Sequence, residues 1–302
     1  IPVYTVSYKQ NADASLMNEI AAQTGGLYIQ ANSEDDVIQS FTQFYNEMCD
    51  NSMIYREVVS MDGTYTSNEI YVDETADEMI IYLARISFDP TEIYITTPDQ
   101  NINPLSSYSN VVSGRNYTYA KIPISQSGNY TIGVSPNLAY QSCNLSVLEN
   151  GGPSPLFPLI SPVSFVLEVS TNTRLDVDLK IEDSKSGYYN LLFESEQKEV
   201  EFNQSNASFI VTNPEGIQKK YTHGYKNGKM TFMPLHGEGS YKIEADFMGI
   251  DNKGNAVNRH YMRSILVGDF QPGYIGEIER IMGNYVYTEQ GIPTRNKIGI
   301  TV

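Results

Sequence analysis

Ile1-Pro-Val-Tyr-Thr-Val-Ser-Tyr8, followed by Ala14 to Thr24, Gly25-Gly-Leu-Tyr-Ile-Gln-Ala31 and Ser33 to Cys49, is the one stretch of this chain in which strand and helix patterns alternate. The first run is apolar and β-branched, the signature of a strand buried on both faces. Asp13 can cap the helix that follows, Leu16 and Ile20 lie one turn apart on it, and Gly25-Gly26 stop it where a left-handed residue is needed. Leu27 to Ala31 reads as a second short strand. Ser33-Glu-Asp-Asp36 has the spacing of a capping box, and Val37, Phe41, Phe44, Tyr45 and Met48 form one apolar stripe expected to be the buried face of a second helix. Two strands and two helices leave a sheet edge unpaired and too little apolar area covered, so either the chain begins mid-domain or another segment or subunit docks there.

Ile1-Pro-Val-Tyr-Thr-Val6, then Leu16, Ile20 and Ala21, then Thr24-Gly-Gly-Leu-Tyr28, then a polar cap and a helix carrying Phe41 and Phe44, resemble the last third of a von Willebrand factor A (VWA) domain. The run Ile20-Ala-x-x-Thr-Gly-Gly-x-Tyr28 is the most specific part, and the resemblance covers about a sixth of the chain. It implies an adhesion site for Mg2+ or another divalent cation in the complete domain. The ligands of that site would all lie upstream of Ile1, so none is named here, and no cofactor is expected within these residues.

Beyond Asp50 the periodicity falls to two. Short runs such as Ile54 to Val59, Glu78 to Leu83, Glu92 to Thr96, Tyr117 to Ile122, Gly128 to Val134 and Cys143 to Leu148 are separated by Gly, Pro, Asn and Asp. They suit a β-sandwich over residues 51–150. Asn150-Gly-Gly-Pro-Ser-Pro155 marks a boundary, and a second sandwich is expected over 151–268, opening with Ser164 to Val169 and continuing through Leu175 to Ile181 and on to Val267. Residues 269–302 read as a tail or the start of a further module. The fold class is thus an α/β fragment, 1–50, followed by two tandem sandwiches of immunoglobulin or fibronectin III type.

A local pattern occurs twice. Ile93-Tyr-Ile-Thr-Thr-Pro-Asp99 is echoed by Phe209-Ile-Val-Thr-Asn-Pro-Glu215, and Gly128-Asn-Tyr-Thr-Ile132 by Gly239-Ser-Tyr-Lys-Ile243. Each pair reads as a strand ending in a Pro-acidic turn and a later strand whose Gly-x-Tyr sets a ring near a sandwich corner, the mark of a duplicated unit. This order of domains resembles extracellular VWA proteins, including the CLCA family. The zinc-binding His-Glu-x-x-His motif of the CLCA proteases does not occur here, so only architecture is implied.

A formal charge of −16 opposes binding to nucleic acid, whose phosphates call for clustered Lys and Arg. No apolar run is long enough for a membrane helix. Twenty-three tyrosines, no tryptophan and many Asn, Ser and Thr are typical of secreted β-rich proteins. Five Asn-x-Ser/Thr triplets, at Asn116, Asn129, Asn144, Asn203 and Asn206, arise readily in such a composition. The two cysteines, Cys49 and Cys143, could form a disulfide tying the α/β piece to the first sandwich, or stay as two buried thiols.

Chemistry is sparse. His223, His236 and His260 are scattered, without the convergent spacing of a zinc site. Asp73-Glu74 with Asp77-Glu78 offers paired carboxylates or calcium oxygens but reads as a solvated turn. Asp251-Asn-Lys-Gly-Asn255 has part of a calcium-loop spacing and is explained by a hairpin turn. Exposed tyrosines could present sugar or protein with a rigid amphipathic surface, while most of them fill cores. The expectation is therefore a non-enzymatic extracellular or cell-surface adhesion and ligand-recognition fragment whose partner is a protein or glycan. Its alternative is the substrate-positioning region of a secreted hydrolase with an upstream catalytic domain.

Overall fold

The computed structural model describes residues 1–9, 13–61, 63–85, 91–136, 163–175, 177–183, 187–195, 202–221, 229–234 and 237–268. The chain opens with β1 (Thr5–Tyr8), α1 (Ala14–Thr24), β2 (Tyr28–Ala31) and α2 (Glu34–Met48). The strands β1 and β2 pair in parallel, Thr5 opposite Tyr28 and Tyr8 opposite Ala31. Asp13 caps α1 by accepting from the Leu16 N–H, and Gly25 closes it in the left-handed region at φ 74°. Gly26 is required for a different reason, since a Cβ there would run into the Val3 backbone. Ser33 and Asp36 form the expected reciprocal capping box on α2.

The rest is mainly β. The first unit contains β3 (Asn51–Met61), β4 (Tyr65–Thr66), β5 (Ile70–Val72), β6 (Ala76–Arg85), β7 (Thr91–Thr96), β8 (Ile102–Pro104), β9 (Val111–Ser113), β10 (Tyr117–Pro123), β11 (Gly128–Pro136) and β12 (Val163–Thr173). One sheet runs β3-β12-β6-β10-β9, and the other runs β4-β11-β7-β8 with β5 also on β11. Leu83, Ala120, Phe165 and Leu167 from the first meet Ile93, Ile95, Ile132 and Val134 from the second in a common core.

Here the boundary drawn at 150/151 needs correction. Ser164 to Val169, expected to open the second sandwich, belongs to β12, which lies between β3 and β6 in the first. Period-two alternation identifies a strand and its faces but not the sheet it joins. The Gly- and Pro-rich stretch at 150–155 therefore precedes a strand that returns to the first unit rather than a new domain.

The second unit contains β13 (Asp178–Asp183), β14 (Tyr189–Glu194), β15 (Phe202–Thr212), β16 (Gln218–Tyr221), β17 (Lys229–Phe232), β18 (Gly239–Asp251) and β19 (Ala256–Val267). Its sheets, β13-β14-β17 and β16-β15-β18-β19, enclose Leu179, Leu191 and Phe193 against Phe209, Ile243 and Phe247.

The doubled pattern is a matched piece of geometry. Strand β7 lies between β8 and β11, and β15 lies between β16 and β18. Thr97 N–H donates to the Asn101 carbonyl and Asn213 N–H to that of Ile217, both at 3.0 Å. Gln100 and Gly216 both have positive φ, 65° and 84°. Pro98 packs at Gly128 and Pro214 at Gly239, and the Tyr130 and Tyr241 hydroxyls each donate to a carbonyl four residues upstream, Gln126 and Gly237.

The α/β piece borrows its core. Ile29 and Phe44 are buried with Met262 of β19, with Tyr4, Val6 and Leu27 around them. The free edge of β2 is covered by the outer face of β18 and β19, where the Gln30 N–H donates to the Ser264 hydroxyl at 2.9 Å and Tyr28 donates to Ser240 at 3.3 Å. Another segment of the same chain thus docks along the β2 edge. No strand among the described residues pairs with the other edge of β1.

Helix α2 is turned differently from the expectation. Its buried residues are Asp36, Gln39, Ser40, Gln43, Phe44 and Asn46. Phe41 is 64% and Met48 61% exposed, so of the apolar stripe only Phe44 is buried. The reason lies beneath the helix, where the two β units present polar outer faces: Arg56, Glu168 and Ser170 from the first, Lys242 and His260 from the second. Amide and carboxylate side chains meet those groups, while a purely apolar underside would strand them without partners.

Candidate binding cleft

Two clefts flank α2, and Asn46 borders both. The first lies where the helix overhangs the outer face of the β3-β12-β6-β10-β9 sheet. Along one cross-strand row of that face stand Arg56, Glu168, Tyr82 and Tyr119, directly opposite one another in register. Helix α2 covers the Arg56 and Glu168 end and leaves the tyrosine end open. Phe41 and Tyr45 on the helix and Tyr117 on β10 complete an aromatic cleft of about 310 Å³. Tyr45 and Tyr119 meet edge to face at 6.2 Å, with their hydroxyls 3.0 Å apart.

The floor of this cleft is polar. Glu168 is 1% exposed. Its Oε1 accepts from Arg56 Nε at 3.3 Å, and its Oε2 has no hydrogen-bond partner. Burial raises its pKa, against the opposing influence of the nearby Thr42 hydroxyl, Arg56 and His260. Burial also raises the Tyr82 pKa, followed by the charge of Glu168 and the neighbouring Tyr117. Beside them Asn46 Nδ2 donates to Ser170 at 2.9 Å, and Asn46 Oδ1 is buried without a partner. The open end is lined by aromatic side chains, and both unfilled polar atoms beneath it are acceptors.

The second cleft, about 470 Å³, lies where the α/β piece and both β units meet, and its lining includes Gln43, Asn51, Asp178, His260 and Arg263. Arg263 Nη2 bridges Glu47 at 2.9 Å and Asp178 at 3.0 Å. Burial disfavours its charge, but Glu47 and Asp178 more than offset this and its pKa is raised. His260 Nδ1 lies 2.7 Å from Asp246 and its Nε2 3.3 Å from the Gln39 amide, so neither ring nitrogen is left to activate a nucleophile. This cleft suits water or a small polar solute.

The residues singled out from sequence fall elsewhere. Cys49 is exposed at the α2 C-cap, and Cys143 lies outside the described residues, as do His223, His236, the Asn150 to Pro155 stretch and the tail. Asp73 is not in a solvated turn: it is 2% exposed and paired with Arg259. Asp77 and Glu78 pair at the surface with Arg174 and Lys121. The carboxylate of Asp251 accepts from the Lys253 and Asn255 N–H groups and the Asn255 amide, which fills a hairpin turn and leaves no calcium loop. Among the described residues no group of three or more His, Cys, Asp or Glu stands where it could hold a metal ion, and no helix is long and apolar enough to cross a membrane.

Sequence reading pointed to tyrosines as ligand surface without selecting any. The missed signals were Glu168 inside an otherwise apolar strand and the amides Gln39, Gln43 and Asn46 at helical spacing.

No protein-family model and no curated protein matches the chain. Among solved structures, 86% of the chain is similar at 13% identity and a TM-score of 0.42 to 47% of the propeptide form of the lipase BlEst2 from Bacillus licheniformis, so the chain spans about half of that protein. It is similar over 71% of its length, at 11% identity and a TM-score of 0.41, to 64% of a DUF4785 family protein of Legionella pneumophila. A β-1,2-glucanase from Parabacteroides distasonis is similar at 8% identity and a TM-score of 0.26, over 73% of this chain and 38% of that one. At these values none of the three bears on function.

Proposed function

We propose that this chain is a ligand-recognition part of an extracellular or cell-surface adhesion protein, without catalysis of its own, and that its ligand, carried on a protein or glycan, enters the tyrosine-lined cleft beside α2. The observation that carries the reading is that Tyr82, Tyr117 and Tyr119 line an open cleft on a sheet face whose other half is covered by a helix. Rigid aromatic rings over a polar floor give affinity at little entropic cost, which is why such surfaces serve recognition.

In this reading residues 1–50 are the end of a VWA-like domain carried on two immunoglobulin- or fibronectin III-like sandwiches, with Mg2+ or another divalent cation belonging to the complete domain. What supports the VWA part is local. Thr24 accepts from the Val3 N–H and donates to the Ile20 carbonyl, Gly25 supplies the left-handed cap, and Gly26 allows Val3 to approach, so each residue of Thr24-Gly25-Gly26 has a distinct job between the first strand and helix.

Glycan and peptide arrays probed with the whole chain test the proposal. Bound ligands should be lost on Tyr119→Ser and on Tyr82→Ser with the melting temperature little changed. Arrays without a hit, or hits that survive both substitutions, count against it.

A further inference from the structure

We propose that the group accepted by the tyrosine-lined cleft is an organic cation, specifically an alkylated or quaternary ammonium whose charge rests on the rings of Tyr82 and Tyr119 above the Glu168 carboxylate. The inference rests on the recognition reading above and narrows it to a chemical class. Three observations carry it. The open walls are tyrosine and phenylalanine side chains, whose rings can attract a cation through their quadrupoles and a neutral alkyl group only by contact. Glu168 and Asn46 beneath them each keep a buried oxygen without a partner, so the floor carries negative charge density that no donor offsets. Glu168 has one direct ion-pair partner, Arg56, on its other oxygen, with His260 nearby.

The form of the cation follows from burial. Glu168 Oε2 is sealed from solvent, so a ligand feels the carboxylate through the low-dielectric floor without grasping it. A primary ammonium would have to give up several water hydrogen bonds, with only the tyrosine hydroxyls to replace them. An alkylated ammonium has fewer or none to give up and spreads its charge over methyl groups that fit against tyrosine faces. The net charge of −16 adds a long-range attraction for cations over anions.

Choline and its neutral isostere 3,3-dimethylbutan-1-ol, titrated into the whole chain by calorimetry and by shifts of the tyrosine ring signals, separate charge from shape. Choline is expected to bind about tenfold more tightly than the isostere. Glu168→Gln, which keeps the acceptor facing Arg56, should remove most of that difference, and Tyr119→Leu should weaken both ligands. Equal binding of the two, lost together on Tyr119→Leu, overturns the cation and leaves the cleft as a recognition site. No binding of either overturns the cation, while array hits lost on Tyr119→Ser would still uphold the cleft as a recognition site. The comparison on the unaltered protein decides the matter even where Glu168→Gln does not fold.

Discussion

Arg259 of the second β unit donates to the Asp73 carboxylate of the first at 3.1 Å, with both side chains sealed from solvent. Its other terminal nitrogen donates to the Leu175 carbonyl at 2.7 Å and to Thr173 at 3.3 Å, and Asp73 also accepts from the Thr75 N–H at 2.9 Å. One guanidinium therefore joins β19, the turn after β5 and the segment leaving β12. An acidic run that reads as solvated in sequence is, at its first residue, a joint between the two units.

Arg259→Leu should destabilise the protein by about 3–5 kcal/mol, because it leaves Asp73 buried and uncompensated. Adding Asp73→Asn to that variant should restore part of the loss. Urea denaturation of the two single variants and the double variant measures the coupling, and simple additivity would remove the pair from its structural role.

Gly25 and Gly26 are adjacent and should respond differently. Nothing lies near a Cβ added at Gly25, so Gly25→Ala should cost about 1 kcal/mol for its left-handed backbone. Gly26→Ala drives a methyl into the Val3 carbonyl and should cost about 3 kcal/mol or more. Hydrogen exchange at Thr5 to Tyr8 reads the difference directly, since β1 has to move to make room.

The orientation of α2 has its own test. Phe44 is buried against Ile29 and Met262, whereas Phe41 points largely to solvent. Phe44→Ala should cost about 3 kcal/mol and Phe41→Ala about 0.5 kcal/mol or less. Comparable losses in thermal melts would mean that the apolar stripe is the buried face after all.

These contrasts mark how far the sequence could be read. The helices were legible because their signals are local: Asp13, Ser33 with Asp36, and Gly25 each act within four residues of themselves. So was the doubled Pro-turn and Gly-x-Tyr pattern, since turn chemistry is also local. The sheet joined by β12 was not legible, because Phe165, Leu167 and Val169 would fill either core. Nor was the face of α2, because a helix buries whatever its neighbour demands, and the neighbour's polar face is assembled from Arg56, Glu168 and Lys242, up to 186 residues apart. The cleft inherits that difficulty: its rings come from residues 45, 82, 117 and 119, and only cross-strand register sets them side by side.

Asp36 gives docking of α2 a pH dependence with a definite sign. Burial would raise its pKa, but the hydrogen bond and charge of Lys242, 2.5 Å away, and the N–H groups of Asn32 and Ser33 lower it below the ordinary 3.8. A carboxyl depressed in the folded state contributes stability above its unfolded pKa and loses it as pH falls through the folded one. The helix should thus hold at neutral pH and loosen only below about pH 4. Asp36→Asn should abolish this part of the acid response and cost about 1–3 kcal/mol at pH 7, since Lys242 keeps Glu244 as a partner. Acid titration followed by protease sensitivity of residues 1–50 reports it.

Tyr130 and Tyr241 test the duplication. Each is buried, follows a glycine with φ near 135° by two residues, and donates to a carbonyl four residues upstream. Removing either hydroxyl leaves that carbonyl without its donor while the ring stays packed, so Tyr130→Phe and Tyr241→Phe should each cost about 1–2 kcal/mol. Gly128→Ala and Gly239→Ala should cost more, because each places a side chain at strained φ against a proline, Pro98 or Pro214. The sharper expectation is the match between the units. Equal costs mean that each corner fixes its Pro-turn against the corresponding strand, β11 in one unit and β18 in the other. A large loss at one corner with none at the other would reduce the echo to a resemblance of turns, because equivalent hydroxyls in equivalent surroundings have to contribute alike.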